Sequence, residues 1–273
     1  MVKNSFPLFA LLTAILLSGC EEKTITIPKL SVGKRNVLVE ELTGVHCPNC
    51  PNGSAKLSDL GQQFGSNLIV VSIHAAIGYN EPFTESKYDF RTAKGTEMAS
   101  FIGSAEGFPS AAVDRRLLPS ETDWYLAPQT KWSSPIIDDL AKDPVVGVFM
   151  DNQYDPVNRR LDITVNIAPE TTITDEARLT VLITQDSIQD YQQVNLVKVP
   201  DYYHRHVLRD VLTQSSGDVI SEPLNAGAVV TKTFSYTLPA DWDENHCAVV
   251  AFVHHGTTPD KEVLQAAEEH VIQ

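Results

Sequence analysis

The feature that most constrains the fold is a pair of cysteines placed between a strand segment and an amphipathic helix. Residues 37–42 (VLVEEL) predict a strand, and Cys47 and Cys50 follow it after a short turn. Apolar side chains then recur at i, i+3 and i+7 over residues 57–64, which predicts one face of a helix that ends near the next glycine. The nearly continuous apolar run at residues 68–73 (LIVVSI) predicts a second strand that is buried on both faces. Together these segments predict a βαβ unit.

The position of the two cysteines predicts thiol chemistry. At a strand-to-helix turn, the amides and the dipole of the helix N-terminus favour the thiolate of the first cysteine and lower its pKa. We therefore expect Cys47 to be ionised and accessible, and to be the nucleophile that attacks a disulfide. Cys50, one turn further along, is expected to resolve the mixed disulfide.

The rest of the first half predicts a helical insertion, a third strand and a closing helix. Residues 79–103 are more polar and carry apolar side chains at helical spacing towards their end. Pro109 precedes a strand candidate at residues 111–114, and a helical segment follows at residues 136–141. These segments are expected to cover and extend the same sheet.

Beyond residue 143, where an Asp-Pro pair predicts a domain boundary, the pattern alternates with a period of two. The alternation is clearest at residues 161–167 and returns at residues 179–183 and 234–238. Residues 248–253 predict a central strand. Short strands separated by turn residues are typical of an antiparallel β-sandwich, here of the immunoglobulin-like type.

The N-terminus predicts export and lipid attachment. Lys3 precedes an apolar run at residues 6–17, which is too short to span a bilayer and is typical of a signal peptide. The letters LSGC at residues 17–20 resemble the bacterial lipobox, so the chain is expected to be cleaved before Cys20, which then carries the lipid. Residues 20–35 are polar and are expected to form a tether. The alternative is an ordinary signal peptide with a chance cysteine.

The composition excludes some classes of function. A net charge of −14 argues against nucleic-acid binding, which needs clustered lysine and arginine. Hydrolase, nucleotide-binding and calcium-binding motifs are absent from the sequence. We therefore expect no cofactor.

Two sets of residues could suggest a metal site. Cys47 and Cys50 would need further ligands to bind zinc, and the candidates His246 and Cys247 lie in the other predicted domain. The sequence also has four histidines in two close pairs, His204, His206, His254 and His255. They lack acidic or cysteine neighbours at ligand spacing, so surface or edge positions are the favoured interpretation, and no metal is expected. Cys247 is expected to be a small buried hydrophobe.

Residues 36–143 resemble the thioredoxin superfamily. Cys47 and Cys50 match the redox pair, and Pro109 matches the cis-proline that precedes a sheet strand and faces the pair. Glu41 matches the buried acid six residues before the first cysteine. The resemblance implies an α/β thioredoxin-like domain in which Glu41 relays a proton from the resolving cysteine.

The chain departs from the common superfamily pattern beside the first cysteine. His46 replaces the usual tryptophan, and the residues between the cysteines are Pro48 and Asn49 rather than Gly-Pro. Both departures affect the redox potential, since the dipeptide helps to set it and a protonated imidazole would stabilise a thiolate. Phe108 before Pro109 is compatible with a cis bond.

The whole chain resembles the outer-membrane lipoproteins of Bacteroidetes that are related to outer membrane protein twenty-eight. The matching segments are Cys20 with its lipobox and residues 40–44, 47–51, 206–209, 249–253 and 262–268. The resemblance implies outer-membrane placement and a thioredoxin-like domain with a helical insertion, followed at residues 144–273 by a β-rich domain. Glu21 and Glu22 resemble surface-export signals, so both the periplasmic and the surface-exposed side stay open.

Two hypotheses of function follow. In the first, the protein is a lipid-anchored thiol-disulfide oxidoreductase that acts on thiols or disulfides of exported proteins or of an envelope redox partner. In the second, it is a non-catalytic surface lipoprotein that binds a partner through its β-sandwich, and the cysteine pair is a structural disulfide or a degenerate redox site. The direction of the redox chemistry stays open.

Overall fold

The computed structural model describes Met1 and residues 33–77, 80–256 and 261–272. The predicted signal peptide, the lipidation site Cys20 and most of the predicted tether lie outside the described residues. Among the described residues, no helix is both long enough and apolar enough to cross a bilayer.

Helices occur in the first half of the described chain, and strands dominate the second. The helices are α1 (Cys50–Phe64), α2 (Ala93–Ile102) and α3 (Ser133–Leu140). The strands are β1 (Val37–Leu42), β2 (Leu68–Ile73), β3 (Ser110–Val113), β4 (Val146–Asp155), β5 (Arg160–Pro169), β6 (Ala177–Gln185), β7 (Ile188–Val194), β8 (Val197–His204), β9 (Val207–Val211), β10 (Asp218–Val219), β11 (Val230–Thr237), β12 (Cys247–His255) and β13 (Val263–His270). The protein is therefore mostly β-sheet with a few helices.

The largest sheet has the strand order β13-β12-β6-β9-β2-β1-β3, with β10 beside β6. Strands β1 and β2 are parallel and are connected by α1, which confirms the predicted βαβ unit, and β3 runs antiparallel to β1. Strand β9 pairs with β2 through Val207 and Ser72, and its other edge pairs with β6. Strands from both sides of the predicted boundary at residue 143 thus share one sheet.

Three apolar clusters stabilise this arrangement. One lies between α1, α3 and one face of β1, β2 and β3, and is centred on the fully buried Trp132. A second lies on the opposite face of β1 and β2, and includes residues of α2, β9 and β12. The third lies between the three-stranded sheet β11-β5-β4 and one face of β6 and β12. Because side chains alternate along a strand, β6 and β12 contribute to both of the last two clusters.

The residues just before β1 are fastened to the end of the chain. Arg35 is buried, and its guanidinium donates to a carboxylate oxygen of Asp114 at 2.8 Å and to the carbonyl oxygen of Val263 at 2.7 Å. The backbone N–H of Val263 in turn donates to the carbonyl oxygen of Asp114 at 2.8 Å. Arg35, the last residue of the predicted tether, is therefore part of the folded body.

The strands β7 and β8 were not predicted by alternation. Their sequences, IQDYQQV and VKVPDYYH, are largely polar, and they form a two-stranded sheet of their own. A hairpin outside the main sheet does not need one continuous apolar face, so the period-two signal is weak. This hairpin contacts the loop that carries Cys47.

Candidate redox site

The two cysteines of the CxxC motif form a disulfide. Cys50 is the first residue of α1, and Cys47 lies in the turn before it. The backbone N–H of Cys50 donates to the carbonyl oxygen of Cys47 at 3.3 Å. Both cysteines are only 1% exposed, so the expectation that Cys47 is accessible is wrong for this structure. The cover comes from a distant part of the chain.

Pro109 lies beside the first turn of α1. Its peptide bond with Phe108 is cis, as the thioredoxin resemblance implies. Phe108 and Pro109 line a groove of about 400 Å³ together with Asn49 and the loop residue Pro128. The predicted proline and the predicted cysteine motif are therefore neighbours in space.

Glu41 is a fully buried acid on β1. In the parallel ladder it stands opposite Ser72, whose hydroxyl donates to Oε2 of the carboxyl group at 3.1 Å. The other oxygen, Oε1, has no hydrogen-bond partner among the described residues. Burial raises the pKa of Glu41 to about 8, although the bond from Ser72 acts in the opposite direction. A pKa above 7 means that the carboxyl group is mostly protonated at neutral pH.

Gly53 brings the acid and the proline together against α1. A Cβ atom at this position would lie 2.7 Å from Oε1 of Glu41 and 2.8 Å from Cβ of Pro109. Gly53 is one turn after Cys50, so the same part of the helix carries Cys50 and contacts both groups. The missing side chain is what permits this close approach.

We expect Gly53→Ala to lower the free energy of unfolding by about 1–3 kcal/mol, the usual cost of overpacking a well-packed site. Gly61 is a matched control in the same helix, since a Cβ atom at that position would have no neighbouring atom within 4 Å. Gly61→Ala should raise the free energy of unfolding by about 0.5–1 kcal/mol through helix propensity. Urea denaturation of both variants measures the difference, and equal effects would contradict the packing described here.

His46 contacts the segment that follows β2. Its Nδ1 atom lies 2.6 Å from the carbonyl oxygen of Glu81, to which the Nδ1–H tautomer donates. Its ring packs on Phe83 with a centroid separation of 3.9 Å. The imidazole is thus held by the segment that follows β2, and this anchoring was not predictable from its place in the motif.

The hairpin β7–β8 covers the redox loop, by which we mean residues 44–49. The backbone N–H of Gln193 donates to the carbonyl oxygen of Val45 at 2.8 Å, and that of Asn195 donates to the carbonyl oxygen of Pro48 at 2.9 Å. These bonds resemble those that an added strand makes with a sheet edge. They lay the tip of the hairpin along the loop that carries Cys47.

A buried glutamine completes this contact. Gln192 is 3% exposed, and its side-chain amide donates to the carbonyl oxygens of Gly44 and Cys47, both at 3.1 Å. Its nitrogen also lies 2.9 Å from the carbonyl oxygen of Gln193. The hairpin therefore contacts the backbone of Cys47 itself.

Two histidines lie in the interior next to the redox pair. His74 follows β2, His204 ends β8, and their ring centroids are 6.0 Å apart around Phe90. Burial lowers the pKa of His74 to about 3 and that of His204 to about 4, so both rings are neutral at pH 7. His74 lines a small cavity with Cys50. The cavity belongs to the floor of the redox site.

The expected surface positions of the histidines are only partly found. His204 and His254 are buried, and His254 bonds Thr180 through Nε2 at 3.0 Å. His254 lies on the central strand β12, and His204 is the last residue of the hairpin strand β8. The surroundings of both depend on pairing that the local pattern does not reveal. Cys247 is a buried free thiol, as predicted. Within the described ranges, no three His, Cys, Asp or Glu side chains are grouped so that they could hold a metal ion.

Four residues of the site were not predicted, and only two of them have a signal in the sequence. Ser72 could have been found from the parallel pairing of two apolar strands, and Gly53 from its place one turn after Cys50. Gln192 and His204 could not, since they come from the other half of the chain. Gln192 bonds the redox loop, and His204 lines the small cavity beside Cys50. The structure thus adds a cover and a floor to the predicted residues.

A mostly β protein, with a parallel βαβ unit that carries a covered disulfide, is the class that this fold and site define. The family model for outer membrane protein Omp28 matches residues 98–272 of the chain. The protein therefore belongs to the outer membrane protein Omp28 family. The matched segment includes Pro109 but not Cys47 or Cys50.

Solved structures support the same fold. HBP35 of Porphyromonas gingivalis aligns with a TM-score of 0.69 and 15% identity, covering 87% of this chain and 76% of that one. Protein AGR_C_4864 from Agrobacterium tumefaciens aligns with a TM-score of 0.54 and 16% identity, covering 88% of this chain and 96% of that one. At these identities the likeness concerns the fold alone. No curated protein matches the chain in sequence.

Proposed function

We propose that this Omp28-family protein is a lipid-anchored thiol-disulfide oxidoreductase, in which Cys47 exchanges disulfides with thiols of exported proteins. The observation that carries the proposal is the meeting of three predicted groups at one turn of α1. Cys50 opens the helix, and one turn later Gly53 lies against both Glu41 and Pro109. A buried acid with a raised pKa beside a resolving cysteine suits proton transfer during exchange.

When Cys47 and Cys50 start as a disulfide, the exchange takes two steps. A client thiolate attacks Sγ of Cys47, a client–Cys47 bond forms, and the Cys47–Cys50 bond breaks. Cys50 leaves as a thiolate and takes the proton held by Glu41. A second client thiolate then attacks the client sulfur, which forms the client disulfide and releases Cys47 as a thiolate. The client is oxidised and the pair is reduced; the same steps in reverse reduce a client disulfide.

We also propose a finer assignment of the two domains and of the attachment to the membrane. Residues 36–143 would be a thioredoxin-like domain with a helical insertion, and residues 144–273 an immunoglobulin-like sandwich joined to it through β9. The parallel βαβ unit and the packing of the sheet β11-β5-β4 on β6 and β12 support this assignment. Lipid on Cys20 would hold the protein at the outer membrane, and several acyl chains bind a bilayer stably.

Trapping a client tests the proposal. We expect Cys50→Ser to accumulate a mixed disulfide between Cys47 and a client, because the resolving thiol is gone. The adduct is measured on non-reducing gels of cell envelopes and identified by mass spectrometry. In the matched control, Cys47→Ser/Cys50→Ser, the adduct should be absent. If no adduct forms and the wild type turns over no model dithiol, the protein is not an oxidoreductase.

The burial of the disulfide favours a second candidate function. Cys47 and Cys50 are each 1% exposed beneath the hairpin, as a purely structural disulfide would be. In that case the protein would bind a partner through its β-rich half. Partner binding would then be the same in Cys47→Ser/Cys50→Ser as in the wild type. If the double variant instead loses the capture of a client, the result supports the oxidoreductase.

A further inference from the structure

The cover over the disulfide comes from a separate structural unit. Strands β7 and β8 form a two-stranded sheet that belongs to neither of the other sheets. Opening this hairpin would therefore leave the strand ladders of the main sheet intact. The covering unit can move at a cost well below that of global unfolding.

The base of the hairpin is anchored by a carboxylate and by apolar packing. At the base, the Asp190 carboxylate accepts bonds from the backbone N–H groups of Lys87 at 3.1 Å and Tyr88 at 2.9 Å. Ile188 joins an apolar cluster with Phe90 and two further buried residues. These contacts provide an anchored end about which the tip could separate.

The tip rests on the redox loop through a few hydrogen bonds. They come from the side chain of Gln192 and the backbone N–H groups of Gln193 and Asn195. Immediately beyond them, Leu196 is 95% exposed, so the turn itself is not packed against the body. The bonds from this end to the redox loop join neutral groups, and each contributes modestly to stability in net terms. Lys198, paired with Gln193, also forms a partly exposed ion pair with Glu85, and exposed pairs contribute little.

We propose that the β7–β8 hairpin determines which thiols reach the Cys47–Cys50 pair, admitting small thiols and thiols on flexible segments while excluding those on folded protein surfaces. The physical basis is the in-line geometry of exchange, in which the attacking sulfur must approach Sγ of Cys47 along the disulfide axis. A small or flexible thiol needs a limited displacement of the tip, whereas a folded surface needs the hairpin to leave the loop. Gln192 is the positioning residue that holds the closed arrangement through the carbonyl oxygen of Cys47.

This inference deepens the proposed function and takes its biological meaning from it. Its test is independent, because reduction of the existing disulfide by added thiols can be followed even if no client exists. A protein that exchanges no disulfides with clients would still discriminate between small and folded thiols. An active oxidoreductase whose disulfide is not covered by the hairpin would not. The two failures are therefore distinguishable.

Reduction rates of the oxidised full chain test the selection, with dithiothreitol as the small reagent and a reduced thioredoxin as the folded one. We expect Gln192→Ala to increase the rate with thioredoxin about tenfold, the factor expected for losing one or two net hydrogen bonds. The increase with dithiothreitol should be clearly smaller. Gln189→Ala is the matched control, since Gln189 is on the same hairpin and its side chain donates to the exposed Asp201 rather than to the redox loop; both rates should equal those of the wild type.

Hydrogen exchange gives a second measurement, and its first part needs only the wild type. The amides of Gln193 and Asn195 should be protected in the oxidised protein, and their exchange should accelerate in Gln192→Ala by the same factor as reduction by thioredoxin. Unprotected amides in the wild type, unchanged reduction rates in Gln192→Ala, or an equal acceleration with both reagents would each overturn the proposal.

Discussion

Glu41→Gln is expected to slow disulfide exchange about 10²-fold, the lower end of the usual effect of losing a general acid or base. In the wild type the buried carboxyl group has a pKa of about 8, and it is protonated when the Cys50 thiolate forms. Glutamine keeps the shape of the side chain but has no proton to give. Stopped-flow measurement with a model dithiol at pH 7 gives the rate, and an unchanged rate would remove Glu41 from the mechanism.

The same variant is expected to change how stability depends on pH. The pKa of Glu41 is raised from 4.5 to about 8 in the folded protein, so the folded state binds more protons between these values. The free energy of unfolding therefore falls as pH rises through this window. Relative to the wild type, Glu41→Gln should gain on the order of 4 kcal/mol between pH 4.5 and pH 8.

The difference in the free energy of unfolding between Glu41→Gln and the wild type isolates the contribution of Glu41 from that of other buried groups. His74 and His204 act in the opposite direction, since their lowered pKa values make stability fall as pH drops below about 6.5. They are present in both proteins and cancel in the difference. Glu170→Gln, at an exposed position, is the control and should track the wild type at every pH. Parallel curves for Glu41→Gln and wild type would show that the buried acid is not the source.

Arg115→Met is expected to lower the free energy of unfolding by about 3–5 kcal/mol, because it leaves a buried charge without its partner. Arg115 and Glu40 are both fully buried and share two hydrogen bonds of 2.7 Å. The guanidinium also lies 4.7 Å from the ring centroid of Phe252 on β12 and 5.6 Å from that of Phe101 on α2. One ion pair thus lies between β1, α2 and β12 on one face of the shared sheet.

A double variant separates the cost of an unpaired buried charge from the cost of lost packing. Replacing both residues, as Glu40→Met/Arg115→Met, removes the uncompensated charge and should recover most of the loss. Arg160→Met is the control for a surface pair, since Arg160 and Asp162 are largely exposed, and it should cost less than about 1 kcal/mol. Urea denaturation measures all three. A cost for Arg115→Met no larger than that for Arg160→Met would contradict the buried-pair interpretation.

Local patterns predicted the frame of the site well. The strand β1, the helix α1 that begins at Cys50 and the strand β2 each follow from the periodicity of a few neighbouring residues. The resemblance to thioredoxins added Glu41 and Pro109, and both lie against the same turn of α1. The site residues and their roles in exchange stay predictions until the variants are measured.

Long-range contacts could not be predicted in this way. Gln192 bonds the carbonyl oxygen of Cys47 across 145 positions of sequence, and nothing in QQV marks it as a partner of the redox loop. His204 was expected at the surface, but it ends β8 and its ring is buried against His74 and Phe90. The exposure of a side chain depends on which segments pack over it, and a single sequence contains no local signal for that.

The amino-acid sequence by itself determined the order of strand, cysteine pair, helix and strand, because hydrophobic periodicity and turn residues act over a few positions of the chain. Only the tertiary structure decided that Cys47 is covered, that Glu41 and Pro109 meet at Gly53, and that both halves share one sheet through β9. Those outcomes depend on close packing and hydrogen bonding between segments that are distant in the chain, where the energy of each contact exists only once the others have formed.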